Sequence, residues 1–238
     1  MKLAKQQELY NLSKAGYSQI AKDFDRTRKN LFWPPLKKIV DSLPNGARIL
    51  DLGCGDGRLL NYLGQRQIEY VGLDNSPELL AIASTNYPGA KFIQGNILAL
   101  NQAEELKSLA PFDCILAIAV WHHLPGRNWQ VKAIQDALSY LTPNGRLVIV
   151  VQNFWHKNKY LSLLWQNVIK KIKGQHRYAW RDLVFPWYNS KGQALGKRYY
   201  HVYNQLELKK ISHLSGGRFI SLKVDRYNYY LQLGPKSF

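Results

Sequence analysis

Residues 49–58 read Ile-Leu-Asp-Leu-Gly-Cys-Gly-Asp-Gly-Arg, and the next apolar run, Tyr70-Val-Gly-Leu-Asp74, ends on an aspartate. An apolar strand running into a glycine-rich turn lets the backbone come close to a ligand, because glycine has no Cβ in the way. Asp74 follows Asp51 by 23 positions. A carboxylate at the end of a second strand suits two hydrogen bonds to a ribose diol, as at dinucleotide sites. Gly53, Gly55 and Gly57 alternate, so the spacing is D-x-G-x-G-x-G rather than G-x-G-x-x-G.

Outward from this turn, apolar runs and helical patterns alternate, the mark of a parallel sheet with crossover helices. Strands are expected at 47–53, 70–74, 91–95, 113–120 and 146–152. The fourth is almost wholly apolar, as suits a strand buried on both faces. Helices are expected at 56–65, from Pro77 with Ser76 as N-cap, at 103–109, and at 129–141 with a stop at Pro143-Asn-Gly145. The C-terminal part reads as a helix at 158–172, a basic and aromatic insertion at 174–203, and a helix at 205–214. An antiparallel hairpin of 218–225 and 229–233 follows, with its turn near Tyr227-Asn228. Residues 5–32 read as helical with a break near Gly16. The whole of 1–238 is expected to form one α/β domain with a doubly wound, mostly parallel sheet, and 1–35 to supply cap helices.

Composition narrows the classes. The chain has 238 residues, 46% of them apolar, enough for a sizeable core. No run of about 18 uncharged apolar residues occurs, which argues against a membrane span, and residues 1–12 show no secretory signal. Cys54 and Cys114 have no metal-like neighbours and read as reduced thiols of a cytoplasmic protein, with no metal site expected.

Charge is distributed unevenly. Residues 1–150 carry 17 Lys/Arg against 13 Asp/Glu, whereas residues 151–238 carry 16 against 3. The basic stretch is also rich in Trp, Tyr and His. Cations neutralise phosphates and aromatic rings offer faces to unpaired bases, so nucleic acid is the favoured partner. Lys170, Lys171, Lys173, Arg177, Arg181, Lys197 and Arg198 are the candidate contacts. A merely solvated basic surface and an anionic-lipid patch are the alternatives.

Near the N-terminus, Tyr17, Ala21, Phe24 and Arg28 fall on one helical face. An arginine on an otherwise apolar face needs an anion, either a bound carboxylate or an acidic side chain at the core edge.

The glycine pattern resembles the first motif of class I S-adenosylmethionine (AdoMet) methyltransferases, which have a Rossmann-like sheet. A narrower set of motifs occurs in order: F-D-x-T-R at 24–28 with Trp33-Pro34, D-L-G-C-G-D-G at 51–57, A-V-W-H-H-L at 119–124, Pro186-Trp187, and R-Y-Y-H-V-Y at 198–203. From Tyr17 to Leu208 the chain thus resembles the tRNA wobble-uridine carboxyl methyltransferases. That family includes the methyltransferase domain of the AlkB-homologue tRNA hydroxylase. The resemblance implies methyl transfer from AdoMet to the carboxylate of a 5-carboxymethyl-type uridine in a tRNA anticodon loop. A small activator protein is a further candidate partner.

The expected cofactor set is Arg28 for the AdoMet carboxylate, Asp51, Gly53, Cys54 and Gly55 in the turn, Asp74 and Asn75 for the ribose, with Asn96, Ile97 and Ala117. Asn96 stands where many methyltransferases place an acidic residue for the adenine amino group, and its amide oxygen can accept that bond. After R-Y-Y-H-V-Y the family's usual G-E-L is here Leu206-Glu207-Leu208.

A carboxylate acceptor is ionised at pH 7, with a pKa of about 4, and needs no general base. Arg198, Tyr199 and His201 are the candidate donors that orient it. His122 and His123, just past strand four, are the other catalytic candidates, and one of them is the natural base if the acceptor is a hydroxyl. A small-molecule O- or C-methyltransferase and a non-catalytic RNA-binding scaffold are the competing functions.

Overall fold

A computed structural model of the chain describes residues 3–14, 33–64, 66–175, 178–188 and 192–236. Its centre is a seven-stranded sheet of order β3-β2-β1-β4-β5-β9-β8. The strands in that order are Lys91–Gln94, Ile68–Asp74, Ala47–Leu52, Phe112–Ile118, Leu141–Gln152, Asn228–Gly234 and Arg218–Val224. Pairing is parallel from β3 through β5, and β9 joins β5 in the antiparallel sense. The chain leaves β1 toward β2 on one side and returns to β4 on the other. That reversal opens a crevice at the carboxyl edge of the sheet between β1 and β4.

Strand parity divides the core. Leu50, Leu52, Ile115, Ala117, Leu147 and Ile149 point to one face, where they pack against α6 (Arg127–Leu138) and α8 (Gln205–Ser215). Their neighbours Ile49, Cys114, Leu116, Val148 and Val150 point to the other, toward α2 (Pro34–Asp41) and α3 (Leu59–Leu63). Both faces are covered, so the middle strands can be apolar throughout. Among the described residues no helix is long and apolar enough to cross a membrane.

Several boundaries differ from the sequence expectation. Helix α3 starts at Leu59 rather than near 56, because Gly53, Gly55 and Gly57 all have positive φ and keep the turn out of helical geometry. Strand β5 starts at Leu141, and Pro143-Asn-Gly145 lies inside it as a bulge. Phe112 pairs with Leu141, but Cys114 already pairs with Arg146. Helix α6 accordingly ends at Leu138 rather than 141. In the C-terminal hairpin the turn is closed by Asp225, which accepts from the backbone N–H groups of Tyr227 and Asn228 at 2.7 Å each. The stretch expected as an insertion forms its own two-stranded sheet, β6 (Asp182–Tyr188) with β7 (Ala194–His201), roofed by α7 (Asn158–Ile172).

Residues 3–14 form a helix, α1, across the carboxyl edge of the sheet. Gln6 donates to the Pro125 carbonyl at 2.9 Å, and Tyr10 packs edge-on against Trp129. The face of Tyr17, Ala21, Phe24 and Arg28 lies outside the described residues.

Helix α4 (Pro77–Asn86) starts as its sequence dictates. Ser76 Oγ accepts from the Leu79 N–H, and Pro77 fills the first helical position. Ser76→Ala is expected to cost about 1 kcal/mol. In thermal unfolding this is a fall of roughly 2–4 °C for a domain of this size, and an unchanged Tm would show that the cap contributes nothing.

Candidate active site

The site is built around the turn after β1. The N–H groups of Gly53 and Cys54 donate to the Leu73 carbonyl at 2.7 and 3.1 Å, and the Gly55 N–H donates to Asp74 Oδ2 at 2.9 Å. The turn is thereby bound to the end of β2. Gly53 sits at φ +72°, and a Cβ there would lie 2.4 Å from Val120 Cγ2. Only glycine fits, since the left-handed region and the close approach both exclude a side chain.

Asp74 is held from both sides, because its Oδ1 accepts from the Ser76 N–H at 2.9 Å. Burial raises its pKa, and the backbone N–H groups of Ser76 and Gly55 oppose that rise. Each carboxylate oxygen keeps a further lone pair for a ligand hydroxyl.

Above the turn lies a cleft, open at its mouth. Gly53, Cys54, Gly55, Asp74, Asn75 and Ile97 line it, together with His122 and His123. Six of the ten expected cofactor residues therefore share one wall with both histidines.

Three of the other four lie elsewhere. Asp51 is buried behind the turn and accepts from the Tyr70 hydroxyl at 3.0 Å, and burial pushes its pKa up to about 7. It borders a smaller space of about 240 Å³ beneath the cleft, so it supports the turn rather than facing the ligand. Asn96 does not line the cleft, and its Oδ1 already accepts from the Tyr10 hydroxyl at 2.7 Å and the Leu98 N–H at 2.9 Å. The acceptor expected for an adenine amino group is thus engaged. Ala117 is fully buried inside β4, and Ile118, Ala119 and Val120 form the wall at that level. Arg28 lies outside the described residues.

The cleft also has walls that the sequence reading missed: Tyr10 and Lys14 from α1, Gln152 from the end of β5, and Tyr200. Lys14 is one turn beyond Tyr10 on the same helix, a signal that helical spacing alone could have supplied.

The histidine pair sits on a short helical turn, Trp121–His123, directly after β4. His123 Nδ1 is 3.0 Å from the Tyr199 carbonyl, which can only accept, so Nδ1 carries the hydrogen. The two imidazoles are 4.4 Å apart, and Tyr200 packs on both at 4.5 and 4.7 Å.

Strand parity splits the R-Y-Y-H motif between two environments. Arg198 and Tyr200 share one face of β7 with their β6 partners Phe185 and Leu183, whereas Tyr199 and His201 share the other. Tyr199 is fully buried and donates to Asp182 Oδ1 at 2.8 Å. His201 Nδ1 is 2.8 Å from the same oxygen, and its Nε2 is 3.1 Å from Glu207 Oε1. Tyr199 and His201 are therefore structural, not acceptor-binding, in contrast to the expectation.

Arg198 is different. Its guanidinium lies 4.3 Å from the Trp187 ring, 4.8 Å from Phe185 and 5.1 Å from Tyr200. Its Nε and Nη1 are buried, and among the described residues they have no hydrogen-bond partner. Tyr200 forms the partition between this box and the cleft.

Of the expected nucleic-acid contacts, Lys170, Lys171 and Lys173 are exposed at the end of α7, and Lys197 is exposed on β7. Arg181 is not available, since it pairs with Glu207 at 2.6 Å and stacks on Trp180. Arg177 lies outside the described residues, and Arg198 faces the aromatic box. Among the described residues no group of three His, Cys, Asp or Glu is placed to hold a metal ion. Both cysteines are buried free thiols.

With this geometry in place, comparison with known proteins is informative. A family model described as "Methyltransferase domain" matches residues 24–211. The tRNA (carboxymethyluridine(34)-5-O)-methyltransferase of Schizosaccharomyces pombe is 26% identical over 90% of this chain and 92% of its own length. Its namesake in Arabidopsis thaliana is 35% identical over 57% of this chain, and that in Saccharomyces cerevisiae 29% identical over 76%. The matches span only 31% and 58% of those two proteins. Among solved structures, the CcbJ methyltransferase of Streptomyces caelestis superposes with a TM-score of 0.70 at 15% identity, over 94% of this chain and 98% of its own.

The buried His201 network sets a pH dependence. Burial lowers the pKa of His201, but hydrogen bonds to Asp182 and Glu207 outweigh it and raise it to about 9. A histidine raised above its unfolded value, about 6.5, contributes stability that is complete below that pH and lost as pH climbs to the folded value. Unfolding free energy should fall between pH 7 and 9, by at most about 1.4 kcal/mol per pH unit for the one proton. Asp51, raised to about 7, acts below this window. His201→Gln should flatten the slope in urea titrations, and an unaltered slope would assign it to another group.

Proposed function

The chain belongs to the methyltransferase-domain family, so its reaction is methyl transfer from AdoMet, and we propose that the acceptor is the carboxylate of a 5-carboxymethyl-type uridine at the tRNA wobble position. The observation that carries this reading is Arg198. A half-buried guanidinium walled by three rings, whose Nε and Nη1 have no partner among the described residues, is a site that wants a carboxylate. The relatives named for carboxymethyluridine methylation support it. A basic C-terminal region supports RNA over a small-molecule acceptor, and this activity on tRNA belongs in the cytoplasm.

The residues present fit the cofactor. A Cβ would fill the cradle at Gly53, Asp74 presents oxygens for a ribose diol, and Leu79 and Ile97 add apolar wall. Lys14 is the cation that α1 brings to the cleft for an amino-acid carboxylate. When bound, AdoMet supplies a methyl group activated by a positive sulfonium.

Everything else asked of the chain is positioning. An ionised carboxylate needs no proton removed, so His123, held at Nδ1 by the Tyr199 carbonyl, is asked only to serve as a wall of the cleft. Arg198 holds the acceptor anion with N–H donors, while the surrounding rings keep water from competing for the same donors. Its stacking on Trp187 sets the negative ring face against the guanidinium charge, which moderates its grip on the attacking oxygen. Tyr200, between Arg198 and the cleft, sets the distance over which acceptor and methyl group meet. The chain alone, or the chain with a small activator protein, is the active species in this reading.

Two measurements test the two halves of the site. Asp74→Ala should weaken AdoMet binding by about 1.5–3 kcal/mol in calorimetry, the loss of a charge-assisted pair; equal affinity would remove Asp74 from the ribose site. Arg198→Ala should lower the single-turnover methylation rate of tRNA carrying the free carboxymethyl uridine by at least tenfold, about 1.4 kcal/mol of transition-state stabilisation. AdoMet affinity should stay unchanged. A normal rate at saturating tRNA, with only weaker tRNA binding, would move Arg198 to the docking surface. Nucleoside mass spectrometry of tRNA from a deletion strain should show the methyl ester missing and the free carboxymethyl form accumulating. Intact methyl ester would overturn the reading.

A further inference from the structure

Helix α7 carries two exposed stripes that neither the fold nor the catalytic site uses. Its packed side is spent on the two-stranded sheet: Leu164 is buried against Leu183, Phe185 and Tyr200. On the solvent side, Trp165 is 68% exposed, Ile169 50% and Ile172 81%. Their spacing of four and then three residues aligns them along one edge of the helix. Beside them runs a polar row, Lys159, Ser162, Gln166, Lys170 and Lys173, again at helical spacing and all exposed.

Along this stretch of sequence the charge has one sign. No acidic residue occurs between Asp136 and Asp182. The three acids of residues 151–238 are all consumed internally. Asp182 and Glu207 hold His201, and Asp225 closes the hairpin turn and accepts from Tyr230. Nothing in the C-terminal region therefore offsets the lysine row.

At 100° per residue the apolar stripe lies between the packed side and the lysine row, with Lys159, Lys170 and Lys173 on one flank. A helix that lies in a lipid surface instead points its apolar stripe away from the body. A stripe of rings and methyls running beside a row of cations suits a polyanion with flat apolar faces, namely single-stranded RNA: bases on one track, phosphates on the other. The helix also starts in the right place. Tyr160, in its first turn, packs on Phe185 of the Arg198 box at 5.6 Å. From Lys159 to Lys173 the row extends ~21 Å away from that box.

We propose that α7 is the RNA-docking rail of this enzyme, with Trp165 as the ring on which an unpaired base of the anticodon loop stacks and Lys170 and Lys173 as phosphate contacts. This rests on the reading of tRNA as substrate, and it adds a base-stacking site outside the acceptor box.

The test uses the full chain and an unmodified 17-nucleotide RNA hairpin with an anticodon-type loop, followed by fluorescence anisotropy. Trp165→Ala should raise the Kd for the hairpin about tenfold, while Trp165→Phe stays within about threefold because a ring remains. Trp165→Ala should leave the salt dependence of binding as in the parent, whereas Lys170→Glu with Lys173→Glu should flatten it. Affinity for a fully paired RNA of equal length should not respond to Trp165→Ala. An unchanged hairpin Kd in Trp165→Ala, with Tm preserved and the parent chain binding RNA, overturns this proposal and leaves the tRNA reading standing. No RNA binding by the parent chain overturns both. Loss of binding to phosphatidylserine vesicles, or loss of self-association in sedimentation, with the hairpin Kd unaltered, overturns it in favour of a membrane or a second copy.

Discussion

The close approach of the β1 turn to the Val120 side chain at Gly53 governs the site. The turn after β1 must pass under Val120 with no side chain between them, and it must reach the end of β2 to bond Leu73 and Asp74. Those two requirements set the floor of the cleft, aim the Asp74 carboxylate, and leave an open shelf at the carboxyl edge of the sheet. A methyl group at position 53 would separate the β1 turn from the loop after β4, and that loop carries both cleft histidines.

The second organising element is electrostatic. Residues 151–238 hold 16 cationic side chains and three acids. Each acid is buried or bonded within the fold, and of the cations only Arg181 is paired with one of them among the described residues. His201 links Asp182 to Glu207, which ties the two-stranded sheet to α8. Arg181 completes that link and is lost to the surface. One buried network thus fastens the two-stranded sheet to the core and uses two of the three acids of the region.

Parity does the rest in the R-Y-Y-H strand. Consecutive residues point to opposite faces, so four donors in a row cannot converge on one ligand. Arg198 and Tyr200 turn toward the cleft side, and Tyr199 and His201 turn inward. Read as composition, the motif suggested a cluster of donors. Read with period two, it separates into a pair on the cleft side and a pair bonded to Asp182, and Tyr200 emerges as the partition between the Arg198 box and the cleft.

The sequence alone determined the strand–turn–helix at 49–59, the succession of strands along the chain, the Ser76 cap, the C-terminal hairpin and the split of charge, because each depends on neighbouring residues or on simple periodicity. It also placed Gly53, Gly55, Asp74, His122 and His123 at one edge, since the carboxyl ends of adjacent strands must meet there. Tertiary structure alone decided that Asp51 sits behind the turn, that the Asn96 oxygen is already taken by Tyr10, and that Arg181 is paired while Arg198 is not. Those outcomes depend on partners up to 86 residues away in sequence. A side chain's hydrogen-bonding capacity is spent on whatever the fold brings beside it, and no local pattern records that choice.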